Sequence, residues 1–130
     1  MNPVVHFEMP ASNNKRVKKF YETAFGWKMN QLGPEMGNYL LAATSPVNKH
    51  GMHKRKGAIN GGFYKKGKDG KVPHLVIAIS NMKNHMKIVK RAGGKVLGKP
   101  MEIPGIGLFV MFKDSEGNRA GMLQPFKMFF

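Results

Sequence analysis

Two histidines 68 residues apart, His6 and His74, are the side chains of this sequence best suited to chemistry. An imidazole titrates near neutral pH, so it can ligate a metal when neutral or move a proton. Glu8 follows His6 by two residues. On a strand that spacing puts both on one face about 7 Å apart, and makes Glu8 the default carboxylate for proton transfer. Two imidazoles alone leave a metal site incomplete, since catalytic zinc takes three protein ligands and non-haem iron two histidines and a carboxylate. Three readings of the pair stand open: a divalent metal held by His6 and His74, a metal-free site in which His6, His74 and Glu8 orient a ligand or shuttle a proton, and imidazoles that merely hydrogen-bond neighbours or water on a polar wall. No Ser-His-Asp set, phosphate loop or dinucleotide fingerprint is present.

The elements that must carry these residues occur twice. His6–Gly26 reads HFEMPASNNKRVKKFYETAFG and His74–Gly94 reads HLVIAISNMKNHMKIVKRAGG, with seven identities in 21 positions and no gap. Val5, Phe7 and Met9 alternate with Val4, His6 and Glu8, and Leu75, Ile77 and Ile79 with His74, Val76 and Ala78, so each copy opens as a strand whose histidine faces away from the bulkier apolar side. Ser12 or Asn13, and Ser80 or Asn81, are placed to cap a following helix. Val17, Phe20, Tyr21 and Ala24, matched by His85, Ile88, Val89 and Ala92, form a helical stripe predicted to be buried. Gly26 and Gly94 are the expected left-handed C-terminal caps. Met82, Met86 and Trp27 read as core or interface residues.

The remaining chain completes two βαβββ modules, 1–66 and 72–126, within one domain spanning 1–130. Strands are expected at 27–32, 39–44 and 58–64, then at 95–97, 108–113 and 119–124. Residues 100–107 read as an irregular approach and 114–118 as a turn. A polar loop at 45–57 carries His50 and His53, where neighbouring Lys54, Arg55 and Lys56 oppose a metal clip. Phe126, Met128, Phe129 and Phe130 are too apolar to hang in water and are expected to pack on the domain or a partner subunit.

Composition narrows the classes. The absence of cysteine excludes disulfides, thiolate metal sites and a cysteine nucleophile. No apolar run approaches the ~20 residues of a membrane span, and no charged leader precedes a hydrophobic segment, so a soluble cytoplasmic protein without membrane contact is expected. The net charge of +15 raises nucleic acid as a partner. No helix-turn-helix, zinc finger or aromatic RNA-binding signature accompanies it, so the charge reads as a solvated basic surface.

A repeated βαβββ pattern with histidine in the first strand resembles the vicinal oxygen chelate family of glyoxalases, bleomycin- and fosfomycin-resistance proteins, extradiol dioxygenases and methylmalonyl-CoA epimerases. HFEMPA, KRVKKFYETAFGWK (Lys15 to Lys28), RAGGKVLGKP (Arg91 to Pro100) and DSEGNRAGMLQP (Asp114 to Pro125) carry the resemblance over nearly the whole chain. It implies an α+β glyoxalase-like fold with curved mixed sheets around a shared cleft, a homodimer, and a cleft for a small polar or aromatic molecule. The activity it implies is a lyase or isomerase in which a metal at His6 and His74 polarises vicinal oxygens while a carboxylate, here Glu8 by default, moves a proton, or else sequestration of the bleomycin-resistance type. Metal-dependent members place histidine on the first and fifth strands, matched by His6 and His74, and glutamate on the fourth and eighth. Here Gly61 or Gly62, and Gly121, stand at the glutamate positions. Arg119 shares strand parity with Gly121 and could face an anionic group, and Phe63 shares parity with Gly61 as an aromatic wall.

Overall fold

A computed structural model describes residues 1–49, 54–68 and 70–127. His50, His53, Met128, Phe129 and Phe130 lie outside the described residues. The chain divides into two compact units, one of His6–Pro73 and one of Met1–Val5 with His74–Phe130. The first five residues join the later unit at the Pro3 carbonyl, which accepts the Ala78 N–H at 2.9 Å.

The earlier unit contains β1 (Val4–Ala11, whose first two residues group with the other unit), α1 (Asn14–Phe25), β2 (Lys28–Gln31), a short 3-10 turn at Pro34–Met36, β3 (Leu40–Ala43) and β4 (Asn60–Lys65). Its strands lie in the order β2-β3-β4-β1, antiparallel except for the parallel β1/β4 pair. A parallel pair needs a long crossover, and α1 with the β2–β3 hairpin supplies it. Asn13, rather than Ser12, caps α1, its side chain accepting the Arg16 N–H at 2.9 Å, and Gly26 ends it at φ 70°. The helix buries less than its apolar stripe predicts. Val17 and Tyr21 pack with Phe7, Met9 and Trp27 on a core of Met29, Leu40, Ala42 and Phe63, whereas Phe20 is 56% exposed.

The later unit contains β5 (His74–Ala78), α2 (Met82–Arg91), β6 (Lys95–Ile103), β7 (Gly107–Lys113) and β8 (Arg119–Pro125), in the order β5-β8-β7-β6. The β5/β8 pair is parallel and the others antiparallel. The pattern is βαβββ again, so the fold is α+β. Asn81 caps α2 by accepting the Asn84 N–H at 2.8 Å. The predicted cap at Gly94 does not hold: α2 ends two residues earlier and Gly93 takes the left-handed conformation at φ 98°. Gly94 instead passes against the Lys113 carbonyl, which a Cβ there would approach to 2.7 Å. Residues 100–107, read as irregular, are largely strand. β6 continues to Ile103 after a register break between Leu97 and Met101, where Gly98 at φ 88° lets the strand bulge and resume, and a turn at 104–106 leads into β7. Met82, Val110, Met122 and Ile79 form the core beneath α2.

Candidate functional site

In the earlier unit the helix covers one face of the sheet, and strand parity sends His6 and Glu8 to the other. The register pairs His6 with Asn60 and Glu8 with Gly62, while Leu41, also opposite Gly62, marks the same face on β3. Tyr39 stands just before β3 in phase with Leu41. Its position is fixed from the backbone outward. Gly37 (φ 65°) and Asn38 (φ 55°) turn the chain after the 3-10 segment, and the Leu32 N–H donates to the Tyr39 carbonyl at 2.8 Å. The Asn14 amide, at the start of α1, donates to the Asn38 carbonyl at 2.9 Å and to Gln31 Oε1 at 3.0 Å. The helix start therefore helps to set where the tyrosine ring lies.

That ring reaches over Gly62 to join the two titratable residues of β1. The Tyr39 hydroxyl donates to Glu8 Oε2 at 2.8 Å, and His6 Nε2 lies 3.0 Å from the same hydroxyl. A phenol has one proton. With that proton given to the carboxylate, the hydroxyl oxygen accepts, so His6 Nε2 carries the proton of the second bond. The chain runs from His6 Nε2–H to Tyr39 O–H to Glu8. Burial, reinforced by the charge and hydrogen bond of Glu8, pushes the Tyr39 phenol well above the usual tyrosine range. Tyr39 is thus a neutral relay at physiological pH rather than a base.

Sequence reasoning named His6 and Glu8 but missed Tyr39. The signal was its phase with Leu41 and Ala43, opposite the polar strand face, together with a glycine on the facing strand. Phe63 is placed differently from the expectation of a cleft wall. Its partners Met9 and Leu40 share the helix-covered face, its ring lies 5.4 Å from that of Tyr21, and it is 2% exposed. Gly61 belongs to that covered face too, beneath the Phe7 ring, so Gly62 is the glycine beside Glu8.

In the later unit Gly121 pairs with Val76 on one side and Met111 on the other. Arg119 and His74, two residues before Gly121 and Val76, share that face by parity. Arg119 and His74 are half-buried. The ring of Phe109 covers Gly121, and a Cβ at that glycine would come within 2.5 Å of it. Gly62 is covered likewise, a Cβ there falling 2.0 Å from the Tyr39 ring.

A family model described as Glyoxalase/Bleomycin resistance protein/Dioxygenase superfamily matches residues 4–122. The chain belongs to this superfamily. A glyoxylase-like domain-containing protein of Didymella fabae is 30% identical over 119 residues, covering 85% of this chain and 84% of that protein. Among solved structures, a Streptomyces coelicolor methylmalonyl-CoA epimerase variant in complex with 2-nitronate-propionyl-CoA superposes with TM-score 0.71 at 11% identity, over 100% of this chain and 99% of the other. The epimerase of Mycobacterium tuberculosis gives TM-score 0.65 at 11% identity, over 95% and 88%. A hypothetical protein of Bacillus halodurans gives 0.69 at 13% identity, over 98% and 96%. At these identities the structures establish the glyoxalase-like fold.

The superfamily's metal ligand set does not fit the residues present. Both glutamate positions are glycines whose side-chain space is filled by a ring, and the proton on His6 Nε2 is engaged with Tyr39. Among the described residues no three His, Cys, Asp or Glu side chains gather as a metal would require. No helix among them is long and apolar enough to cross a membrane.

Proposed function

We propose that this superfamily member binds a small polar or aromatic carbonyl compound against the face of the earlier unit that its helix leaves uncovered and transfers a proton on it without a metal, as a lyase or isomerase would. The observation that carries the reading is the His6–Tyr39–Glu8 hydrogen-bond chain. A carboxylate joined to an imidazole through a neutral phenol can take a proton from the carbon beside a carbonyl and return it, with one proton moved and no net oxidation. Likeness to epimerases, one of them holding an acyl-CoA analogue, supports an isomerase-type reaction. On the later unit, His74 and Arg119 are proposed as ligand-orienting residues of the face they share by parity there, and assembly as a homodimer belongs to the same proposal.

A second reading, sequestration without turnover, is favoured by the Tyr39 ring over Gly62, which offers a wall where a reactive group would otherwise stand. Incubation with a panel of small carbonyl compounds and acyl-CoA thioesters in deuterated water, with chelator present, separates the two. Deuterium entering the ligand, and lost in Glu8→Gln and Tyr39→Phe, supports proton transfer. Saturable binding without exchange across the panel overturns it in favour of sequestration.

A further inference from the structure

The exposure of Phe20 changes what the basic charge can do. Phe20 belongs to the apolar stripe of α1, yet it lies 56% exposed with its ring 6.3 Å from that of Phe25, itself 64% exposed. Beside it runs an open groove of about 360 Å³, floored by Pro10, Val17 and Phe20 and flanked by Arg16 and Lys66. These two cations are 50 residues apart in sequence. The parallel β1/β4 register, which pairs Ala11 with Lys65, and the Lys66 N–H donating to the Ala11 carbonyl at 2.9 Å bring them to one place. Lys19, one helical turn after Arg16, and Lys65, the neighbour of Lys66 in the chain, are exposed, and among the described residues no carboxylate lines the groove.

We propose that this groove binds single-stranded nucleic acid, with Phe20 stacking a base and Arg16, Lys19, Lys65 and Lys66 facing phosphates. An aromatic face beside a track of cations is how proteins hold single strands without reading their sequence. Charge complementarity selects a polyanion, and the exposed rings select one with unpaired bases. A membrane surface fits less well, because Val17 and Tyr21 are spent on the core and two rings leave little apolar area to insert. The proposal is independent of the His6–Tyr39–Glu8 site, none of whose residues lines the groove.

The test is fluorescence anisotropy of a labelled oligo-dT across a salt series, with heparin as a base-free polyanion and phosphatidylserine vesicles as the lipid alternative. Four phosphate contacts give a slope of log K against log salt of about −3, and Arg16→Ala with Lys66→Ala reduces its magnitude by about 1.4. Phe20→Ala weakens oligonucleotide binding roughly tenfold and leaves heparin binding unchanged. Lys87→Ala with Lys90→Ala on α2 removes equal charge elsewhere and serves as the control. Equal effects from the control pair, no effect of Phe20→Ala on the oligonucleotide, or vesicles holding the protein at salt concentrations that release the oligonucleotide would overturn the proposal. All substituted side chains are at least half-exposed or charged, and circular dichroism checks that each variant keeps its fold.

Discussion

The hydroxyl of Tyr39 stands between a carboxylate and an imidazole, so removing it is felt at both. Tyr39→Phe deletes a hydrogen bond to a charged group, and a loss of about 1.5–3 kcal/mol in urea unfolding is expected. The same residue sets an alkaline limit. A phenol is neutral when protonated, and in the folded chain its pKa is raised above the unfolded value of about 10. The folded state thus holds the proton more tightly, and the stability this brings is complete below about pH 10 and lost as pH climbs beyond it. Urea midpoints should fall between about pH 10 and 11 more steeply in the parent than in Tyr39→Phe, and identical slopes would refute the assignment. Gly62 tests the ring's position. Gly62→Ala places a Cβ 2.0 Å from the Tyr39 ring and should cost about 1–3 kcal/mol by overpacking. In a Tyr39→Ala background most of that cost should vanish, and additive losses would mean that the two do not meet.

Both helices begin at an asparagine whose side chain closes the first turn, and neither has an acidic residue there to help. Asn13→Ala and Asn81→Ala should therefore each cost about 1 kcal/mol, while Ser12→Ala and Ser80→Ala should stay within about 0.5 kcal/mol, as surface substitutions away from such features do. Urea unfolding of the four variants checks this. These caps show how the elements were legible. The repeat placed strand, cap and helix at one offset, and period-2 and period-3.6 patterns are local, so β1, α1, β5 and α2 could be read directly. Partners remote in sequence were not. Tyr39 meets Glu8 and His6 across 31 and 33 residues, and its phase with Leu41 tells which face it takes, not that its ring will cross β4 to cover Gly62. Phe20 failed for a related reason: periodicity says which residues could face the sheet, while the width of the sheet decides how many do. The β6 bulge escaped because Gly98 reads as a stop when considered alone, although the strand resumes beyond it.

At the scale of the whole molecule, charge is the term least offset by anything within the fold. Lysine and arginine number 22 against seven acids, and the exposed faces of α1 and α2 carry cations at close helical spacing. Lys15, Lys18 and Lys19 on α1 have only Glu22 nearby in sequence, and like charges one turn apart destabilise a helix. Such self-repulsion acts on the compact state more than on the expanded chain. Salt should relieve it, because the screening length shrinks from about 30 Å at 0.01 M to about 10 Å at 0.1 M. The melting temperature in sodium chloride should therefore rise by several degrees over that interval, the reverse of the trend for a protein held by surface ion pairs. Replacing Lys15, Lys18 and Lys19 together by glutamine should raise the melting temperature at 0.01 M and reduce the further gain on adding salt. Calorimetry of the two proteins at both salt concentrations decides the matter: a salt gain undiminished in the triple variant would move the repulsion away from α1, and a melting temperature that falls with salt would show that ion pairing outweighs it.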